Sequence, residues 1–333
     1  MAIQADAFSP KEFSCWIISD ATNAGTSGIH ASNMYQLDVD SVGYPSLNVN
    51  QALDVRSGAG KTFKNEDFFQ DNKMRVVELS LSGTMHNDAG HKLLLQNICN
   101  DVSGDIAIPA GGATAAESQI YGSAVTNAAS SLTVVIKASD HSDQKSMEFA
   151  GLVVTNFALS ADNGTEGGRY KFSATLQTGK VPDLAEASTA AGANVYANTT
   201  HAFLSSSSGH KVLNKDVIMN SFTCTIDYPV VFTGATSTGY NIVSRGVESA
   251  VTVDTQVKWD SETMGFPNSF DAQTASQDGN MFVVTNNNAF GIDLQNGVFT
   301  NVAFSEGDIM MLDCSIKSVD DGSDALIAFD VSA

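Results

Sequence analysis

The octapeptide VVTNFALS, at residues 153–160, recurs near the end of the chain as VFTNVAFS, at residues 298–305. Five of the eight positions are identical, and the other three exchange one apolar residue for another. Both copies are rich in Val, Phe and Thr, which strands favour. The repeat predicts that the same piece of β-structure is present twice in the chain.

The sequence that follows each octapeptide supports this duplication. Each copy continues through a Glu-Gly pair into a segment in which apolar and polar residues alternate. The offset between the copies is 145 residues before this turn and 140 after it, so the first copy carries a five-residue insertion, residues 161–165, in its hairpin loop. The residues predicted to face inward are Tyr170, Phe172, Ala174 and Leu176 in the first copy and Met310, Leu312, Cys314 and Ile316 in the second.

A strand is also predicted upstream of each hairpin. Residues 76–85 and 251–259 both alternate between apolar and polar side chains, which is typical of a half-buried strand. Asn87 or Asp88 is placed to cap a short helix that ends near Cys99. The corresponding helix after Trp259 is less well supported, because Gly265 and Pro267 interrupt its pattern.

These elements divide the chain into two predicted modules. The first covers residues 1–183, including an N-terminal arm, and the second covers residues 212–333. Residues 184–211 contain Ala-rich, Thr-rich and Ser-rich segments and are predicted to be a linker. Phe13–Ile17 and Phe222–Ile226 share the pattern F-x-C-x-I and are matched as equivalent strands. The predicted fold class is mainly β, with two tandem sandwich or barrel modules, a short flanking helix in each, and extended loops and arms.

The composition excludes several classes of protein. The 17 basic and 37 acidic residues of the 333-residue chain give a formal net charge of −20, which repels nucleic acid and anionic membranes. No apolar stretch approaches the roughly 20 residues needed to cross a bilayer. The N-terminal sequence MAIQADAFSPKEF lacks the features of a secretory signal, so we expect folding in a cytoplasm. The four cysteines share no close spacing, which indicates buried free thiols.

Two segments resemble ligand-binding loops but lack required residues. SGAGKT at residues 57–62 is similar to the end of a phosphate-binding loop, yet Val55 stands where that motif requires its first Gly. Asp38, Asp40 and Gly43 begin a sequence similar to a calcium loop, but Val42 and Val49 occupy positions that should supply ligands. A Gly-rich β-loop and a turn capped by its own Asp side chains are predicted instead.

Two groups of histidine and acidic residues contain side chain types that are used in catalysis or metal binding. His86 and His91 flank a strand-to-helix turn without a common face, so they are predicted to be surface histidines. Residues 140–143, DHSD, place three triad residue types side by side, whereas triads assemble from separated segments, and a polar loop is predicted. No catalytic, cofactor or metal site is predicted, and enzymatic activity is not expected.

The segment 147–179, MEFAGLVVTNFALSADNGTEGGRYKFSATLQTG, resembles the tail tube proteins of long-tailed bacteriophages. The shared features are a strand from Gly151 to Leu159, a Gly-rich turn and an alternating return strand, preceded by the strand at 76–85 and its helix. The resemblance is closest over about residues 76–179 and looser over about residues 221–331. Residues 1–60 take no part in it.

The resemblance implies a β-sandwich or barrel with a flanking helix, whose inner sheet joins those of its neighbours into a ring. Single-module members of that family form rings of six subunits, so a two-module chain implies a homotrimer that forms a pseudo-hexagonal ring. Stacked rings would form a hollow tube in the tail of the virion, through which genomic DNA passes during ejection without specific binding. The implied partners are other tail proteins: the tape measure, the terminator and the distal tail proteins. No cofactor or membrane is implied, and synthesis is expected in the host cytoplasm.

The resemblance also suggests which side chains face the channel. If the strands at 76–85 and 251–259 belong to the inner sheet, their polar faces would line the lumen, and negative charge there would keep DNA from adhering. Bulk solvent outside the tube is the alternative environment for these faces. The candidate lumen-facing residues are Glu78, Ser80, Ser82, Asp254, Gln256 and Lys258.

Two other classes of protein remain open from the sequence. One is a different self-assembling β-protein, such as a surface-layer, fibre or adhesion subunit. The other is a carbohydrate-active or hydrolytic enzyme on a β-scaffold, which would need paired acids in a cleft.

Overall fold

The computed structural model of the chain is mainly β, and its paired strands run antiparallel. The structure describes residues 13–20, 34–45, 50–53, 68–71, 76–100, 106–108, 119–121, 131–138, 145–187, 194–197, 202–204, 209–236, 239–245, 248–271, 279–285 and 290–330.

The described elements are two α-helices, one short 3-10 helix (Glu166–Gly168) and 23 strands. The α-helices are α1 (Ala89–Cys99) and α2 (Phe266–Asp271). The strands in the first half of the chain are β1 (Phe13–Ser19), β2 (Tyr35–Leu37), β3 (Val39–Gly43), β4 (Asn50–Leu53), β5 (Phe68–Asp71), β6 (Val77–Thr84), β7 (Ile106–Ile108), β8 (Gln119–Tyr121), β9 (Leu132–Ala138), β10 (Lys145–Asp162), β11 (Lys171–Thr178) and β12 (Asp183–Ala187). The strands in the second half are β13 (Lys211–Val212), β14 (Lys215–Asp216), β15 (Met219–Asp227), β16 (Val231–Thr236), β17 (Gly239–Ser244), β18 (Ala250–Lys258), β19 (Phe282–Val284), β20 (Gly291–Leu294), β21 (Gly297–Ser305), β22 (Met311–Ser318) and β23 (Ile327–Asp330).

One long run of paired strands crosses the whole molecule, and we call it the main sheet. Its order is β3-β6-β11-β10-β15-β18-β22-β21. Strand β10 bends where Gly151 has a φ of 66°, a conformation that glycine adopts without strain. The part of β10 before this bend pairs with β9 and β12 in a second layer, Leu152 just after it still pairs with β9, and the part from Val153 onward pairs with β11 and β15.

The two octapeptides occupy equivalent strands with the same register. Val154 lies opposite Leu176 in the β10–β11 hairpin, as Phe299 lies opposite Ile316 in the β21–β22 hairpin. Each ladder then shifts at a threonine, and the hydroxyl of that threonine donates to a carbonyl oxygen of the return strand at 3.2 Å in both hairpins. The register shift is thus repeated with its side-chain hydrogen bond, as expected when a duplicated sequence retains a local β-bulge.

The pairing repeats throughout the main sheet. Strand β18 lies on β22 as β6 lies on β11, with Val253 and Leu79 in matching positions. Strand β15 lies on β18 as β3 lies on β6, and both ladders shift after their first pair, at Asn220 and at Asp40. The four strands β3-β6-β11-β10 therefore have the same order and registers as β15-β18-β22-β21.

This register corrects one prediction from the sequence. Phe13–Ile17 and Phe222–Ile226 were matched as equivalent strands, but β1 pairs with β2 and β9 in the second layer, whereas β15 belongs to the main sheet. The counterpart of β15 is β3. The shared pattern F-x-C-x-I reflects a similar burial requirement in two different strands.

The second layer repeats in the same way. In the first half its order is β2-β1-β9-β10-β12, and in the second half it is β14-β13-β19-β20-β23, with β7 added at the edge. Each half is therefore a pair of sheets with a helix nearby. Hydrophobic residues from both halves nevertheless form one continuous buried cluster, so the described structure contains no separate core for each predicted module.

The helices agree with the sequence prediction in one half and extend it in the other. Asp88 caps α1, because its side chain accepts a hydrogen bond from the His91 amide at 2.9 Å, and the helix ends at Asn100 in a left-handed conformation. The weaker helix prediction after Trp259 corresponds to α2. Pro267 stands in the first turn of α2, where its missing amide hydrogen has no helical partner to lose.

Residues 202–204 of the predicted linker pack against the first half, whereas residues 209–211 join the second half, where Lys211 pairs with Val283. The Tyr170 amide donates to Ala202 O at 2.9 Å, and the Leu204 amide donates to Gly168 O at 2.7 Å. Ala202 and Leu204 are both buried. In the described residues, this segment is therefore an integral part of the folded structure.

Arg245 connects the two halves. Its buried guanidinium donates to Asn97 O at 2.9 Å, to Val154 O at 2.8 Å and to Tyr228 O, and lies 4.5 Å from the centre of the Tyr228 ring. Burial lowers the pKa of this guanidinium to about 10, which leaves it charged at neutral pH. A residue between β17 and β18 thus satisfies carbonyl groups of α1 and β10.

Candidate assembly surfaces

The residues predicted to face a channel lie together on one face of the main sheet. In β6 and β18 buried apolar residues alternate with more exposed polar ones. Residues that lie opposite each other on neighbouring strands point to the same face of a sheet. Followed from strand to strand, this pairing places Ser82 of β6 and Thr252 of β18 on the same face. The residues that share this polar face include Glu78, Ser80, Ser82, Asp254, Gln256 and Lys258.

The polar face is cross-linked by side-chain hydrogen bonds. Glu78 accepts a bond from Gln177 at 3.1 Å, and Asp254 accepts one from Ser315 at 2.6 Å. Gln256 donates to Asp313 at 2.8 Å. Glu78 and Asp254 are exposed, whereas Ser80, Ser82, Gln256 and Lys258 are half-buried. The face therefore presents carboxylates to its surroundings, but it also carries amines, including Lys258.

The two halves meet at a β-sheet junction between β10 and β15. Ala158 lies opposite Thr225, and Leu159 lies opposite Cys224. Beside this ladder the turn that follows β10 contacts the start of β15, where the Asn163 amide donates to Asn220 O at 2.9 Å. We call this arrangement the internal junction.

Within the described residues, the structural repeat leaves two strand edges without an equivalent partner. Strand β21 is the counterpart of β10, and strand β3 is the counterpart of β15, so these two would form a second junction if they met. Among the described residues, β21 pairs only with β22 and β3 pairs only with β6. We call these the β21 edge and the β3 edge. They lie at opposite ends of the main sheet.

Residues on the β21 and β3 edges are more exposed than their counterparts in the internal junction, as expected if a neighbouring strand is missing at each edge. Phe304 on the β21 edge is 52% exposed, whereas its counterpart Leu159 is fully buried in the internal junction. Tyr44, just after β3, is 46% exposed, whereas its counterpart Cys224 is buried. Large apolar side chains are thus exposed at positions where the repeat buries them.

Further apolar residues surround Phe304. Ile309 and Met310, in the turn between β21 and β22, are both exposed, and we call them the apolar tip. The exposed Trp259 packs edge-on against Phe304, with ring centroids 5.6 Å apart. Met310 was predicted to face inward like Leu312, Cys314 and Ile316, but only the other three are buried. Its counterpart Tyr170 is buried because it contacts Phe222 across the internal junction.

A pocket of about 350 Å³ opens beside the β3 edge. Its lining includes Phe13, Val42, Tyr44 and Tyr196 together with the polar residue Asp38. The pocket lies between the main sheet and the second layer, because β3 and β1 both contribute to it. On β15, the counterpart of β3, the corresponding side is covered by β10 of the first half.

A buried polar network lies next to this pocket and corrects another prediction. His86 and His91 are both buried, not surface residues, and their rings lie 5.1 Å apart. His86 Nε2 contacts Asp38 Oδ2 at 2.9 Å, and His91 Nδ1 contacts Asp88 Oδ1 at 2.8 Å. These contacts tie the segment before β3 to the turn before α1.

The protonation of this network is set by burial and by the paired carboxylates. Burial lowers the pKa of His86 below its ordinary value, against the opposing effect of its hydrogen bond to Asp38. Burial alone would raise the pKa of Asp88, but the hydrogen bonds and charge of His91 outweigh it and lower that pKa. Asp38 also accepts a bond from Tyr196 at 3.3 Å. Asp38 and Asp40 were predicted to cap their own turn, but Asp38 binds His86 and Asp40 binds Lys171 at 2.9 Å.

No second site is seen within the described residues. Residues 57–62 and 140–143 lie outside the described residues. Within the described ranges, no group of three or more His, Cys, Asp or Glu side chains is placed to hold a metal ion. In the same part of the chain, no helix has the length and apolar character required to span a membrane. The chain matches no model of a known protein family, and a comparison with curated proteins finds no match.

Proposed function

We propose that this protein is a structural subunit that assembles with copies of itself into rings, and that these rings stack into the tail tube of a long-tailed bacteriophage. The observation that carries the proposal is the pair of exposed strand edges, β21 and β3, which are counterparts of two strands that already pair inside the chain. An unpaired strand edge favours pairing with another chain.

The hairpin β4–β5 gives independent support. It follows β3 in the chain as the hairpin β16–β17 follows β15. In the second half, β16–β17 reaches over the first half, where Val243 and Phe232 pack against the buried Val153. Among the described strands, β4 and β5 pair only with each other. A neighbouring copy would supply the surface on which β4–β5 could pack.

The virion assignment comes from the sequence resemblance, together with the acidic composition. Three copies joined through the β21 and β3 edges would contain six repeats of the four-stranded unit, which matches the six subunits implied for single-module rings. The polar face would line the channel, where its carboxylates repel the DNA backbone and let the genome pass without adhering.

The enzyme alternative has one structural feature to consider. The pocket beside β3 contains the carboxylates of Asp38 and Asp40. Each is engaged by a neighbouring side chain, Asp38 by His86 and Asp40 by Lys171. This pairing favours a structural role for both carboxylates, so we do not adopt a hydrolytic function.

Native mass spectrometry and cryo-electron microscopy of the purified protein test the proposal. Trimers that form rings, or tubes of stacked rings, are the expected result. Six full-length chains per ring would refute the trimer. A monomer at high concentration without filaments would refute self-assembly, and extended flat sheets would favour a surface-layer protein.

A further inference from the structure

We infer that the apolar tip and Phe304 of one copy fill the pocket beside the β3 edge of the next copy, in a strand register copied from the internal junction. The inference rests on the proposed self-assembly and specifies its contact. The internal junction is the template, because both of its strands have counterparts with the same neighbours and the same register shifts.

The register expected between the β21 edge of one copy and the β3 edge of the next follows from the numbering offsets between counterpart strands. Each residue of β21 is the counterpart of the β10 residue 145 places earlier, and each residue of β3 is the counterpart of the β15 residue 180 places later. Ala158 lies opposite Thr225 in the internal junction. Ala303 of one copy therefore lies opposite Pro45 of the next, and Phe304 lies opposite Tyr44.

The side chains at these positions suit the contact. Phe304 and Tyr44 are exposed aromatic residues, and cross-strand aromatic pairs stabilise antiparallel sheets. Tyr170 meets Phe222 across the internal junction with ring centroids 5.3 Å apart. Their counterparts are Met310 and Val42, so Met310 of one copy is placed against Val42, which lines the pocket of the next.

The turn that carries the apolar tip is also in the right place. In the internal junction, the turn between β10 and β11 docks at Met219 and Asn220, where Asn163 donates two hydrogen bonds. The counterparts of Met219 and Asn220 are Val39 and Asp40, which line the pocket. The turn between β21 and β22 lacks the five-residue insertion that contains Asn163, so its own residues Ile309 and Met310, and no counterpart of Asn163, would reach the pocket.

Engineered cysteines test the register directly. Ala303→Cys and Pro45→Cys place two thiols opposite each other on the polar face, within the reach of a disulfide. The two sites are separated by the width of the main sheet in one chain, so a disulfide can form only between copies. The four native cysteines are buried and add little background. Oxidation of the assembled double variant should give covalent multimers in high yield.

The matched control combines Ala303→Cys with Ser41→Cys. Ser41 is exposed on the same face but lies four residues from Pro45, about 13 Å along the strand, which is too far for a disulfide. Equal cross-linking of both pairs, or rings that form without cross-linking at 303 and 45, would overturn the register and leave the proposed function standing. A wild-type protein that never assembles would overturn both.

The apolar tip has its own test. Met310→Asp should raise the protein concentration at half-assembly by roughly tenfold or more, or about 1.4 kcal/mol, because the variant loses apolar burial and also places a carboxylate in the contact. Val231→Asp is the control, since Val231 is 43% exposed and Met310 is 40% exposed, and Val231 lies outside the proposed contact. Equal effects of the two variants, with both proteins folded by circular dichroism, would remove the tip from the interface.

Discussion

Replacement of Arg245 by methionine should destabilise the monomer strongly, although Arg245 is far from both assembly edges. The guanidinium is the hydrogen-bond donor to three main-chain carbonyl groups, of Asn97, Val154 and Tyr228. Methionine fills a similar volume but donates nothing, so these buried oxygens lose a donor.

The size of the effect follows from this count of hydrogen bonds. Bonds from a charged donor contribute about 1.5–3 kcal/mol each, and part of this is offset because burying the guanidinium is itself unfavourable. The lowered pKa of Arg245, about 10, reports that opposing cost. A net loss of about 3 kcal/mol in the free energy of unfolding is expected, or roughly 4 °C in Tm for a chain of 333 residues.

The assay is urea or thermal unfolding of the unassembled protein followed by circular dichroism. Arg245→Lys should fall between wild type and Arg245→Met, because a compact ammonium cannot reach all three carbonyl groups as the planar guanidinium does. Lys317→Met is the control, since Lys317 is exposed, and it should change stability by no more than about 0.5 kcal/mol. If Arg245→Met changes the free energy of unfolding by no more than about 0.5 kcal/mol, Arg245 does not connect the two halves as described.

Three further outcomes are expected. The free energy of unfolding should fall as the pH drops below 6.5, because the lowered pKa of His86 keeps its ring neutral in the folded protein while the same ring takes up a proton in the unfolded chain. His86→Gln should therefore flatten the plot of Tm against pH between 6.5 and 5. An unchanged slope would show that other groups control the pH dependence. The double variant Glu78→Lys, Asp254→Lys should still assemble, since exposed charge changes rarely cost more than about 0.5 kcal/mol, but should slow DNA passage in phage particles; normal genome delivery would contradict a channel-facing position. An experimental structure should superpose residues 1–183 on 212–333 through the matched strands, and octapeptides in non-equivalent strands would refute the duplication.

Local sequence patterns predicted the elements whose burial is decided by their own residues. The alternation in β6, β18 and the two hairpins follows directly from one buried face per strand, and Asp88 at the start of α1 follows from capping chemistry. These elements have the predicted positions to within a few residues. The mainly β fold class is confirmed.

Features that depend on distant partners could not be predicted in this way. Strand β3 is short and polar, and its likeness to β15 is visible only in the pairing with β6. His86 is buried because Asp38, a distant residue between β2 and β3, supplies its partner. Met310 has the spacing of a core residue, but Val42, the counterpart of the Phe222 that covers Tyr170, lies at the opposite end of the main sheet of the same chain.

The chemistry of the two edges limits the kinds of assembly that they can form. The β21 edge and the β3 edge are different surfaces, so a contact between them is heterologous and each joined copy still offers one edge of each kind. Such a contact cannot form a two-fold symmetric dimer with itself. It must either close into a ring or continue as an open filament. A ring and a fibre therefore share one contact, and they differ only in whether the rotation between successive copies closes. The internal junction joins two repeats by the same strand pairing, so the rotation between those two repeats sets the rotation expected between neighbouring copies. A rotation of a sixth of a turn per repeat would close the ring at six repeats, which is three chains.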